Sequence, residues 1–175
     1  MAKSDSFFIR AGVTTNDATY TQSEIDLGSF VNLGVSKSTL LRIHNISVQY
    51  SDVSSGPAGV IFSHGANGGK IAWQLTTQSQ TELVTADDKS LVSAGALALF
   101  GNPNSTTYAV GQSQSEDINP QMWTQGYLVG VDSMFLGVDT TSVPTSGEII
   151  VCIVLECTLE NATQANSVAL ALSQQ

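Results

Sequence analysis

Basic residues are scarce in this chain and stand alone. Lys3, Arg10, Lys37, Arg42, Lys70 and Lys89 are the only six, against fifteen Asp and Glu, for a net charge of -9. No cluster among them could follow a phosphate backbone and release its counterions, so direct nucleic-acid binding is not expected. Charge of either sign is thin, 12% of residues against 42% hydrophobic, which disfavours charge-laced surface helices and favours short strands joined by polar turns. No apolar run approaches the roughly 20 residues of a membrane-spanning helix. The stretch Met1 to Arg10 lacks the apolar core of a secretory signal, so a soluble chain with no readable address is expected.

Cysteine is nearly absent too. Cys152 and Cys157 are the only two, and an odd offset within one strand puts them on opposite faces. They lie roughly 16 Å apart along that strand, well beyond the about 7 Å that a disulfide spans. Two buried free thiols are expected, which favours assembly in a reducing compartment. Histidine is limited to His44 and His64, with no spacing that suits a metal. There is no Gly-x-Ser-x-Gly elbow and no Ser, His and Asp set. The loop His64 to Lys70 departs from a phosphate-binding loop, because Gly65 is one residue too close to the Gly69-Lys70 pair and Ile71 stands where Ser or Thr is needed. The carboxylates Asp87, Asp88, Glu116, Asp117, Asp132 and Asp139 read as caps and solvated turns before they read as calcium ligands. Asn45, Asn104 and Asn161 begin Asn-x-Ser/Thr triplets, which arise by chance in a chain this rich in Ser and Thr. No catalytic, cofactor-binding or metal-binding residue is assigned, and the chain is not read as an enzyme.

What is present is β-sheet. Gly147 to Glu160 (GEIIVCIVLECTLE) holds the unbroken run Ile149 to Leu155, whose branched side chains fit a pleated sheet better than a helix. From Leu155 the pattern alternates, with Leu155, Cys157 and Leu159 on one face and Glu156, Thr158 and Glu160 on the other. A central strand is expected, covered on both faces at its start and with one face in water at its end. Thr39 to Tyr50 is the second strong strand, and Arg42 and His44 interrupt its apolar parity, which predicts a bulge between Ile43 and Ile46. Further strands are expected over Ser6–Val13, Tyr20–Leu27 near a sheet edge, Val60–Phe62, Lys70–Thr77 with Trp73 inward, Gly126–Val131 and Met134–Val138. Phe30, Val31 and Leu33 are expected to be buried, and Thr81–Val84 to be extended. Asp87 and Asp88 predict a short helix over Asp88–Ala96, while Leu97–Phe100 reads equally well as strand. Gly101–Pro120 is poor in apolar residues and reads as an extended loop, and Val168, Leu170 and Leu172 read as a final strand or a docking tail.

About eight strands with regular turn signals define an all-β antiparallel sandwich over residues 1–175 as one domain, with a short N-terminal arm and a C-terminal tail. A jelly roll and an immunoglobulin-like fold are the candidates, and two cysteines in one strand argue against the second. Met122 to Glu160 (MWTQGYLVGVDSMFLGVDTTSVPTSGEIIVCIVLECTLE) resembles the closing strands of single jelly-roll capsid proteins of icosahedral viruses: a short strand, a tight return, then a long apolar strand ending in alternation. The resemblance implies a virion subunit that self-assembles in many copies in the host cytoplasm. Many such proteins carry a basic N-terminal arm, whereas residues 1–10 here hold only Lys3 and Arg10. An acidic subunit of this kind suits a shell whose inner face meets a membrane or other capsid proteins. The 101–120 loop, the first ten residues and the tail from Ala165 are the expected contacts. The rival reading is a lectin-like or adhesin sandwich using Trp123, Tyr127 and the Gly65–Gly69 loop.

Overall fold

The computed structural model describes residues 5–15, 19–34, 38–53, 56, 69–100, 111–140 and 148–174. The chain runs through β1 (Phe7–Thr15), β2 (Thr21–Asp26), β3 (Ser38–Asp52), β4 (Gly69–Thr76), β5 (Leu91–Phe100), β6 (Gly111–Ile118), a 3-10 turn (Pro120–Met122), β7 (Tyr127–Val129), β8 (Ser133–Thr140), β9 (Ile149–Ala162) and a helix, α1 (Gln164–Ser173). One sheet has the order β1-β9-β3-β7 and the other β2-β8-β4-β5-β6, with every pairing antiparallel. The pairing is nested: β1 lies on β9, β2 on β8 and β3 on β7, with β4 and β5 as the innermost pair. A long hairpin wrapped into two sheets in this way is the jelly roll, and β6 extends the second sheet by one edge strand.

The core lies between the sheets. Leu41, Ile43, Ile46, Val151, Ile153 and Leu155 of the first sheet face Ile71, Trp73, Leu75, Leu136 and Val138 of the second, all with 1% exposure or less. β9 is flanked by β1 and β3, and its odd residues from Ile149 to Cys157 point inward. The bulge in β3 falls where the parity conflict puts it, as the register against β9 slips between Ile43 and Asn45. Leu41 and Ile43 reach the core before the slip, and Ile46 after it.

Several expectations are corrected. Asp88 does cap a turn, its carboxylate accepting from the Ser90 backbone and hydroxyl at 2.8 and 2.6 Å, but a strand follows in place of a helix over Asp88–Ala96. The reason lies in tertiary contact: Gly95 sits opposite Trp73, and a Cβ there would lie 2.8 Å from Trp73 Nε1, so β5 is shaped to seat the indole. Residues 111–118 of the expected loop form β6, paired with β5, while 101–110 lie outside the described residues. The tail is the helix α1, its first turn capped by the Thr163 hydroxyl. Leu33 is 40% exposed, although Val31 is buried as expected and Phe30 stacks on Phe7 at 5.1 Å. Thr81–Val84 is irregular and covers the outer face of β4. Gln74, 1% exposed, donates from Nε2 to the Glu82 carbonyl and accepts at Oε1 from the Val84 backbone. The Val60–Phe62 strand lies outside the described residues.

β9 also reverses its expected exposure. The outer residues of its first half, Ile150, Cys152 and Val154, are half-buried, whereas Thr158 and Glu160 at its end are 8% exposed. β3 supplies the cover there, through Arg42 and His44.

Candidate functional site

Several titratable side chains among the described residues are taken up by structural contacts. Glu160 receives Arg42 Nε at 2.7 Å and Nη2 at 2.8 Å, and Arg42 Nη1 donates to the Gln125 carbonyl at 2.7 Å. The Glu160 bond raises the guanidinium above its ordinary pKa, and the bidentate geometry suits a pair this far from water. His44 Nε2 and Thr158 Oγ1 lie 2.8 Å apart on the same outer face. The Asp26 carboxylate accepts from Gly28 N, Glu24 from the Ser133 hydroxyl and Asp87 from the Thr85 hydroxyl. Among the described residues no three His, Cys, Asp or Glu gather to hold a metal. His64 and the 65–68 part of the glycine-rich loop lie outside the described residues, and Gly69 opens β4.

The thiols are free and on opposite faces, as the odd spacing requires, but only Cys157 is buried as expected; Cys152, on the outer face of β9, is half-buried. Trp73 is a core residue. Trp123 is different: it is 42% exposed beside Met122 and lies 5.9 Å from the Tyr127 ring. Its loop is held against the bulge in β3. Gln121 bonds both the N–H and the C=O of Ile46, at 3.2 and 3.1 Å, doing for β3 what β7 is too short to do. Gly126, at φ +63°, passes so close that a Cβ would lie 2.2 Å from the Ile43 carbonyl, and only glycine fits there.

The remaining surface offers contacts. On β1, Phe8 is 54% exposed with the Arg10 guanidinium 5.9 Å from its ring centre. At the other end of the chain, α1 is fastened at several points. Ser167, fully buried, donates to the Ser38 hydroxyl at 2.8 Å. Gln174 donates to the Leu128 carbonyl at 2.6 Å and accepts from Gly130 N at 2.9 Å, so one side chain occupies the outer edge of β7. Its backbone carbonyl accepts from Thr77 Oγ1 at 2.7 Å, which ties the second sheet to the same point. Leu170 lies over Gly130, where an added Cβ would come within 3.1 Å of Cδ2. Of the three contact regions expected from sequence, the described residues 5–10 and the tail carry exposed apolar side chains, while of the 101–120 region residues 111–118 are a paired strand and 101–110 lie outside the described residues. Nothing in the composition of α1 announced which of its residues face out.

No family model matches the chain, and no curated protein matches it. Solved structures do resemble it. A chain of human polyomavirus 12 VP1, in complex with 3'-sialyllactosamine, is similar at TM-score 0.48 and 7% identity, over 90% of this chain and 100% of that one. The unassembled VP1 pentamer of Washington University polyomavirus is similar at TM-score 0.41 and 5% identity, over 90% and 95%. A chain of turnip yellow mosaic virus follows at TM-score 0.36 and 10% identity, over 88% and 93%. The assignment of this chain to the jelly rolls rests on its own nested strand order.

Proposed function

We propose that the chain is a structural subunit of an icosahedral virus shell, of the single jelly-roll type, whose work is repeated contact with copies of itself. The observation that carries this reading is the nested strand order, in which the segment resembling capsid proteins supplies β7, β8 and β9 in their places. Jelly rolls also serve as lectins and cupins, so the surface has to decide between them. Here the space between the sheets is filled by large side chains such as Trp73, Leu136 and Ile153, which favours a role for faces and edges over an enclosed ligand. Those faces leave Phe8, Met122, Trp123, Val168 and Leu172 exposed, apolar side chains suited to meeting protein.

Residues 1–175 then act as one jelly-roll domain with a short N-terminal arm. The net charge of -9 favours an inner face that meets a membrane or a second capsid protein in preference to the genome. The place of such a subunit is the virion, with assembly in the host cytoplasm, where Cys152 and Cys157 stay reduced. Purified protein should form many-copy particles in negative-stain micrographs and by light scattering. A strictly monomeric species at high concentration would sink the reading. The exposed Trp123 beside Tyr127 favours a second one, a sugar-binding module of lectin or adhesin type. Selective binding to a glycan array by a monomer, lost in Trp123→Ala, would put that in its place.

A further inference from the structure

Helix α1 is built inside out. Its inward row, Ser167, Leu170, Ala171 and Gln174, is anchored through the hydrogen bonds of Ser167 and Gln174. Its outward row, Ala165, Val168, Ala169 and Leu172, has the same i, i+3, i+4, i+7 spacing and is apolar throughout, with Val168 44% and Leu172 65% exposed. A surface helix ordinarily turns its apolar stripe inward and its charged face to water. Here no charged residue occurs anywhere from Asn161 to Gln174.

Charge decides what covers that row. Helices that lie on membranes carry Lys and Arg to meet anionic lipid. α1 has none, and it belongs to a subunit of charge -9. Two such subunits repel wherever carboxylates oppose one another, so a carboxylate-free row is where two copies can touch without that cost. The row is self-complementary across a two-fold axis, and its two alanines let helix axes approach closely.

We propose that the Ala165, Val168, Ala169 and Leu172 row of α1 packs against the same row of a second copy. This deepens the shell reading and rests on it for its purpose. One face of a helix this short covers far less than the about 800 Å² per partner of a stable dimer. The contact is therefore weak singly and is multiplied by the other contacts of a many-copy assembly.

The test is cross-linking. In a Cys152→Ser background, Ala169→Cys should give disulfide-linked dimers under mild oxidation, and Thr14→Cys, far along the chain on β1, should not. Adding Val168→Glu and Leu172→Glu should abolish the cross-link and lower particle yield by about tenfold or more. The melting temperature should stay unchanged, because both side chains are exposed. Dimers linked at 169 without particles would keep the α1 contact and remove the shell reading. Particles with no link at 169, indifferent to the two glutamates, would overturn the contact and keep the shell. Flotation of the wild-type chain with phosphatidylcholine vesicles, lost in the glutamate variant, would assign the row to lipid and overturn it as well.

Discussion

Burial pushes the Cys157 thiol from 9.0 up to about 12, since a thiolate in the core would lose its hydration and face the charge of Glu156. Cys152, on the other face of the same strand, is only half-buried. A disulfide reagent near neutral pH should therefore titrate one thiol rapidly and the second only on denaturation; two fast thiols would contradict the strand register. The same shift links stability to pH. The folded state holds the Cys157 proton to about 12 while the unfolded chain releases it near 9.0. The stabilisation is full below about pH 9 and is lost as pH rises toward 12, at no more than about 1.4 kcal/mol per pH unit. Burial raises Tyr20 and Tyr127 as well, so their contributions fall in the same direction above 10.0. Urea unfolding near pH 8 and again at about pH 10.5 should show this loss, and Cys157→Ala should reduce it. An unchanged pH dependence in that variant would mean that Cys157 is not the group responsible.

Among the elements, α1 depends on Gln174 more than on apolar burial. Gln174→Ala would leave Gly130 N and the Leu128 carbonyl without their partner, at a cost of about 1–3 kcal/mol. Amide exchange should then quicken through α1 while the amides of β9 keep their protection; equal loss in both would mean that the helix and sandwich unfold as one unit. This dependence on polar anchors also explains why the helix was hard to read in sequence. Val168, Leu170 and Leu172 alternate with alanines and imitate a strand, while the contacts that place the helix belong to Ser167 and Gln174, which hydrophobic periodicity ignores. β9 and β3 were legible because their Val and Ile runs and broken parity describe a pleated surface directly. β5 was legible only over Leu97–Phe100, which could be read as strand; Leu91–Ala96 was not, since Leu, Ala and Gly prefer no sheet until β4 and β6 pair on either side and Trp73 claims the space at Gly95. β6 is written in Gln and Ser, so its edge position is fixed by its neighbour and not by its own pattern. The candidate surface was half legible. Its location in the first residues and the tail follows from the chain, but the exposure of Val168 and Leu172 depends on which side of α1 the polar anchors take.

For the molecule as a whole, fifteen acidic groups against six basic ones make every approach of two copies a contest between surface attraction and net repulsion. Repulsion acts over the Debye length, about 30 Å at 0.01 M salt and about 8 Å at 0.15 M, whereas contact between apolar rows acts only on touching. If the chain assembles as proposed, added salt should weaken the term that opposes assembly and leave the favourable one intact, so the concentration at which particles appear should fall as ionic strength rises toward about 0.15 M. Light scattering across a protein dilution series at several salt concentrations measures that threshold. Neutralising charge by another route should act in the same sense: replacing exposed carboxylates such as Glu24 and Asp132 with their amides should lower the threshold in dilute salt and matter little in concentrated salt. If the copies were held instead by ion pairs between acidic loops and the scattered Lys and Arg, salt would raise the threshold and the amide variants would assemble less well. The sign of the salt effect thus separates an interface made of neutral and apolar surface from one made of charge.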